Sequence, residues 1–178
     1  KEQYAYLYNT KTIRLFWPSV YTLMDEQDLF HRQPLVASFQ TIVFGPGKPF
    51  RFTLMNVHVD PDEARYELTK LDDAFQATQA DVGGEDDVIL AGDFNADPRD
   101  YQELGRLANI AWAVVGVPTN TRGTRGYDNL LFDRLATVEY LGKAGVMDLQ
   151  SRYQLTLDQA LDVSDHLPVW AEFYPYEV

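Results

Sequence analysis

The spacing of hydrophobic and polar positions changes period several times along this chain, and each change marks an element. Tyr4, Tyr6 and Tyr8 alternate with Ala5 and Leu7, which predicts an aromatic-rich strand with Ile13 to Phe16 as its hairpin partner. Leu35 to Phe44 and Phe50 to Val59 read as two more strands, separated by the turn Gly45-Pro46-Gly47-Lys48-Pro49. From Pro61 to Ala80 the period becomes helical. Ala64, Leu68, Leu71 and Phe75 fall on one face as core packing, Pro61 suits a first turn, and Val82-Gly83-Gly84 ends the helix. The run Val88-Ile89-Leu90-Ala91, bounded by Asp86-Asp87 and Gly92, predicts a short strand buried on both faces. Strand, helix and strand in this order are compatible with a crossover unit. Pro98 to Leu107 predicts a shorter helix, Thr137–Leu141 a strand, residues 155–161 a short helix and Leu167 to Phe173 a last strand. No internal repeat, linker or low-complexity segment interrupts the pattern, so a single domain over 1–178 is expected.

Polar residues gather where the apolar runs end. Asp93 and Asn95 follow the buried run with one apolar residue between them, so in an extended backbone both point to the same side. The carboxyl end of a buried strand is also where open α/β sheets place their ligands. Gly, Asp and Asn are turn formers as well, and Gly92-Asp93-Phe94-Asn95 alone reads equally as a strand-ending turn. Its company favours a site: His58 lies near the end of an earlier strand, and Asp128 and Ser164-Asp165-His166 flank two later ones. Asp93, Asn95, Asp128, Asp165 and Glu2 offer the oxygens that a hard divalent cation such as Mg²⁺ prefers. Two imidazoles with carboxylates nearby suit acid–base work, and Asp128 paired with His166 would fix the tautomer and raise the pKa of the ring. No Ser stands in a nucleophile-elbow setting.

Other polar groups carry plainer readings. Asp25-Glu26-Gln27-Asp28 is a solvated acidic loop, His31 beside Arg32 is structural, and Asp97 and Asp133 are turn residues. Pro118 to Gly126 is a polar loop with two Arg and three Thr. It is either a flexible connection or, because it leads into Asp128, a holder of phosphate oxygens.

Composition changes the picture in a few places. Among 178 residues, 46% are hydrophobic and 24% charged, ordinary values for a globular domain. No apolar stretch approaches the length of a membrane span, and no signal pattern is visible. The chain opens on Lys1 rather than Met, as a processed product or a fragment would, so compartment stays undetermined. With no Cys, disulfides, thiolate chemistry and Cys-based zinc sites are excluded. A formal charge of −12 repels polyanions unless a cation or a local basic patch compensates.

Taken together, Asn56-Val57-His58, Gly92-Asp93-Phe94-Asn95-Ala96, Tyr127-Asp128 and Ser164-Asp165-His166-Leu167-Pro168-Val169 resemble, in order, the signatures of the endonuclease/exonuclease/phosphatase superfamily. Lys1-Glu2-Gln3-Tyr4 and Arg32-Gln33-Pro34 bring the deoxyribonuclease I branch nearest. The resemblance implies a four-layer α/β/β/α sandwich and metal-dependent cleavage of phosphate esters. It assigns acid–base roles to His58 supported by Glu2 and to His166 supported by Asp128. Asp93 would orient or activate the attacking water and help bind metal, Asp165 would hold the metal, Asn95 the phosphate, and Arg32 the substrate backbone. Mg²⁺ is the expected cofactor, with Mn²⁺ or Ca²⁺ as alternatives. Two departures stand out. The family's amino-terminal strand with its Asn, and the metal-binding Glu after it, match nothing here, so one sheet is expected to be incomplete, to need a partner or further segment, and to leave the isolated chain weakly active or inactive. Secreted deoxyribonucleases of this branch also carry disulfides, and this chain has no Cys.

Three functional readings follow. The first is a metal-dependent endonuclease acting on DNA. The second is a phosphatase for a small or lipid phosphate, favoured by the acidic balance. The third is a binding domain of the same fold without catalysis.

Overall fold

The structure, a computed structural model, describes residues 3–81 and 86–178. Its centre is a mixed sheet in the order β1-β3-β4-β5-β7-β6, where β1 is Ile13–Leu15, β3 Leu35–Thr41, β4 Arg51–His58, β5 Val88–Asp93, β6 Ile110–Trp112 and β7 Asp128–Asp133. The short β2, Tyr21–Thr22, also pairs with β3. Between β4 and β5 runs the helix α1, Ala64–Asp81, and the two strands are parallel, so the crossover unit is present. All other pairings in this sheet are antiparallel.

Strand alternation sorts the side chains onto two faces. Val36, Met55, Val57, Val88, Leu90 and Leu131 share the core with Leu68, Leu71 and Phe75 of α1. Burying each of the three helix side chains contributes about 1.5–3 kcal/mol, an upper estimate because the unfolded chain is already partly collapsed. The opposite face carries aromatics. Phe132 lies 4.9 Å from Tyr140 and 5.8 Å from Phe173 between ring centroids, and these come from a second sheet of β8 (Tyr140–Val146) and β9 (Val169–Phe173). Two short helices, α2 (Leu149–Tyr153) and α3 (Leu157–Val163), connect β8 to β9, and Thr156 and Gln159 form a capping box at the start of α3. This is an α/β sandwich of the expected kind, and among the described residues its second sheet has two strands.

Several elements differ from expectation. Residues 4–8 form no strand, and β1 pairs with β3 instead of serving as their hairpin partner. The tyrosines lie on the inner face: the Tyr6 hydroxyl is 2.6 Å from Leu35 O and 3.0 Å from Leu54 O, and Tyr6 and Tyr8 meet the Phe39 ring edge-on. Pro98 to Leu107 is not one helix but two 3₁₀ turns, Pro98–Asp100 and Leu104–Arg106. Gln102 between them is left-handed at φ 51°, which a continuous helix forbids. The expected helix end at Val82-Gly83-Gly84 lies outside the described residues.

Candidate active site

Register alone brings three of the expected residues into line. His58, the last residue of β4, pairs with Asp93, the last of β5, and Asp93 pairs across to Asp128, the first of β7. Partners in register share a face, so three neighbouring strands present His58, Asp93 and Asp128 in one row on the inner side. Such close strands need Gly92: its φ is +148°, and a Cβ there would fall 1.9 Å from Val57 O.

His166 arrives from the far side of the chain. Asn120 and His166 form an isolated antiparallel bridge, the Thr121 N–H donates to Asp165 O, and the Leu167 N–H donates to Thr119 O. The loop 118–126 thus docks the Ser164-Asp165-His166 segment. His166 Nδ1 then lies 2.9 Å from Asp128 Oδ2, the expected dyad. A carboxylate only accepts, so Nδ1 carries the proton and Nε2 is turned to the cleft. Burial by itself would lower the pKa of this imidazole. The hydrogen bond to Asp128 and the charges of Asp128, Asp93 and Asp165 outweigh burial, and the net direction is upward.

Asp93 Oδ2 stands between the two rings, 3.7 Å from His58 Nε2 and 3.8 Å from His166 Nε2. Both separations exceed hydrogen-bond length, so each imidazole faces Asp93 without being locked to it. Burial is the main cause that raises the Asp93 carboxyl above its ordinary value. The Asn95 N–H and the two imidazoles oppose this, and the Asp128 charge adds to it. Asn95 reaches Asp93 by a turn and not by strand alternation: its φ is +48°, its N–H donates to Asp93 Oδ1 at 2.8 Å, and its amide nitrogen donates to Val59 O at 2.8 Å.

The remaining expectations fall at the margins. Arg32 approaches His58 O and pairs with Asp60 at 3.6 Å, and it lines a cavity of about 410 Å³ together with Tyr4, His58, Asp93, Asp128 and Pro168. Asp165 is exposed beside His166 and stands outside the group formed by Asp93, Asp128 and His166. Glu2 lies outside the described residues. Asp93, Asp128 and His166 each present a ligand atom within 4.8 Å of the others, so acidic groups able to hold a metal are in place. Two carboxylates and no sulfur fit a hard cation.

Three contributors escaped the sequence reading. Thr119, 1% exposed, donates its hydroxyl to Asp128 Oδ2 at 2.5 Å and accepts the N–H groups of Tyr127 and Asp128. The Thr121 hydroxyl donates to Ser164 O and is likewise spent on bracing the site, whereas the exposed Thr124 hydroxyl accepts from the Asn120 amide and keeps its own proton to donate. The Tyr4 hydroxyl accepts the His58 N–H at 2.9 Å. Glu67, buried on α1, accepts from the backbone of His31 at 2.8 Å and of Asp60 at 3.3 Å, fixing the segments that carry Arg32 and its partner. A Thr in a polar loop and a Glu inside a helix give no local signal of these roles.

Comparison with known proteins agrees with the fold. No family model matches the chain. Deoxyribonuclease-1-like 1 of Sus scrofa is 34% identical over 183 aligned residues, which cover 97% of this chain and 56% of that relative, so the chain spans little more than half its length. A conserved protein of unknown function from Enterococcus faecalis superposes with a TM-score of 0.64 at 14% identity, covering 94% of this chain and 69% of that one. An endonuclease/exonuclease/phosphatase family protein from Bacteroides thetaiotaomicron superposes with a TM-score of 0.52 at 14% identity, covering 92% of this chain and 66% of that one. The fold is thus that of the endonuclease/exonuclease/phosphatase proteins, and in sequence the chain is similar along nearly its whole length to deoxyribonuclease-1-like proteins.

Proposed function

We propose that this site hydrolyses phosphodiester bonds of DNA with the help of a divalent cation, Mg²⁺ in the first place and Mn²⁺ or Ca²⁺ as alternatives. The observation that carries the reading is the position of Asp93 Oδ2 between His58 Nε2 and His166 Nε2, at 3.7 and 3.8 Å. Two imidazoles gathered around one carboxylate suit an in-line displacement, in which one proton leaves the attacking water and another reaches the departing oxygen. His166, held through Nδ1 by Asp128, exchanges its proton at Nε2, and His58 does so across the cleft. Asp93 orients the attacking water, Asn95 braces Asp93 and faces the phosphate, and Arg32 meets the substrate backbone. Asp93 would hold the cation, with Asp165, which stands outside the group of Asp93, Asp128 and His166, as a further ligand from the exposed rim, and the cation when bound stabilises oxygen charge developing at phosphorus. The name of the Sus scrofa relative supports DNA as substrate. A further segment or partner that adds strands beside β8 and β9 belongs to the same reading, supported by Leu35, Phe52 and Leu54 remaining only half-buried on the inner face.

The formal charge of −12 favours a second reading, a phosphatase for a small or lipid phosphate. One experiment separates the two. Supercoiled plasmid and phosphoinositide vesicles are incubated in parallel with Mg²⁺, with and without excess EDTA. The endonuclease reading expects EDTA-sensitive nicking that His166→Ala abolishes. Phosphate release from the vesicles without nicking supports the second reading, and neither product above the His166→Ala background, also from a longer chain that supplies the further segment, leaves a binding domain.

A further inference from the structure

Asp128 borders two cavities. One holds Arg32; the other, of about 470 Å³, opens between the segment that follows β5 and the loop 118–126. Asn95 lines this second cavity as well, so it adjoins the row of His58, Asp93 and Asp128.

Its lining is of two kinds. Val114, Val117 and Pro118 give an apolar wall, and Tyr127 gives a half-buried ring that stacks on His166 at 6.1 Å between centroids, 29° from parallel. Thr124 and Arg125 add donors, and Asp100 adds an acceptor. The carboxylates in the lining, Asp97, Asp100 and Asp128, outnumber the guanidinium groups of Arg99 and Arg125, and Arg99 is bound to Asp97 at 2.8 Å. A phosphate is therefore disfavoured inside, whereas a flat, neutral ring with donors and acceptors at its edge is not. The loop wall is set before any ligand arrives. Asn120 Oδ1 accepts the N–H groups of Thr124 and Arg125, each at 2.8 Å, and Arg125 O accepts those of Thr119 and Asn120 at 2.7 and 3.1 Å. The bridge between Asn120 and His166 ties this loop to the dyad, so a group in the cavity is held at a fixed offset from His166.

We infer that the cavity receives an unpaired base of the strand being cut, which makes single-stranded DNA the preferred substrate of the site. The inference rests on the endonuclease reading above and names the form of DNA that it takes. A base in a duplex is covered by its neighbours and its partner, and it enters a cavity only after extrusion at a cost in free energy. A base in a single strand turns in without that cost. Charge points the same way. A duplex carries one phosphate per about 1.7 Å of length and a single strand one per about 3.4 Å, so a chain of −12 repels the duplex more strongly. Arg125, exposed at the cavity, meets the backbone phosphates beside the bound base.

Fluorescence anisotropy in EDTA, with a short labelled oligonucleotide either single-stranded or annealed to its complement, tests the assignment. Wild type is expected to bind the single strand about 10-fold or more tightly than the duplex, the worth of one stacked base. In Tyr127→Leu, which removes the ring, the two affinities become nearly equal. Val117→Glu, which sets a charge in the apolar wall, narrows the ratio likewise and carries the test if Tyr127→Leu fails to fold, since Val117 is 50% exposed. Equal affinity of wild type for both forms, tighter binding of the duplex, binding of neither, or an unchanged ratio in either folded variant overturns the inference. Cleavage is not the readout, so a chain that shows this preference but cuts no DNA contradicts the endonuclease reading and leaves the cavity assigned.

Discussion

At its carboxyl end, strand β5 delivers Asp93 into a cleft between two imidazoles, 3.7 and 3.8 Å away, whereas at its amino end Asp87 is enclosed with two further carboxylates, one oxygen of each within 4.8 Å. The strand is the same and so is the type of charge, but the surroundings differ. At the cleft the anion is balanced by groups that gain and lose protons, and it remains half-buried, reachable by a substrate. At the other end no imidazole is present in the cluster and the carboxylates of Asp87 and Glu139 are shut away from water. A charge held by titratable partners in an open cleft is suited to reaction. A charge enclosed where neither water nor an imidazole reaches it is suited to holding the structure together.

Asp93→Asn probes this contrast most strongly. Hydrolysis of plasmid DNA should fall by about 10²–10⁴-fold, the range for loss of a group that handles the reacting water or its proton. Stability should move the other way. Burial holds the Asp93 carboxyl above its ordinary value. A raised carboxyl contributes stability that is full below its unfolded value of about 3.9 and is lost as pH rises through the folded value. At pH 7 in EDTA the ionised side chain is therefore a cost, and the Asn variant should melt higher, with the advantage fading towards pH 3. An Asn variant that melts lower at pH 7 would contradict the electrostatic description of the cleft.

Gly92→Ala comes next. A Cβ 1.9 Å from Val57 O must push β4 from β5 and separate His58 from Asp93. Destabilisation of about 3 kcal/mol or more, seen in urea unfolding, is expected for strain at such a backbone position. Thr119→Val should cost about 1–3 kcal/mol, because Asp128 loses a donor and two backbone N–H groups lose their acceptor. It should also shift the pH profile of hydrolysis, since Asp128 would hold His166 less firmly. A purely structural Thr119 would leave that profile unmoved. Val178→Pro has the smallest effect: it removes the N–H that Glu139 Oε1 accepts, costs about 1 kcal/mol, and leaves hydrolysis as in wild type. A loss of hydrolysis here would erase the distinction between the two ends of β5.

What could be read from the chain follows from how local each signal is. Val88 to Leu90 announce a buried strand because every side chain is apolar, and the spacing of Leu68, Leu71 and Phe75 announces a helix face. His58, Asp93, Asp128 and His166 could be nominated because each stands beside an apolar run. Their meeting depends on register, which the structure supplies. The three-residue strand β6 is too short to show a period. The helix expected over Pro98–Leu107 fails at Gln102, whose left-handed backbone has no signature in its side chain. Thr119 acts through a contact with Asp128 nine positions away in a polar loop, and Asp87, Glu139 and Glu177 come together only when three distant segments fold.

The most direct measurement is a double-mutant cycle on EDTA-sensitive plasmid nicking, with His58→Ala, His166→Ala and the pair. Two imidazoles serving one displacement act as a unit, so each single change should cost about 10²–10⁴-fold and the pair hardly more than the worse single. Losses that multiply in the double variant, or full activity in either single variant, would contradict a shared phosphoryl centre at Asp93.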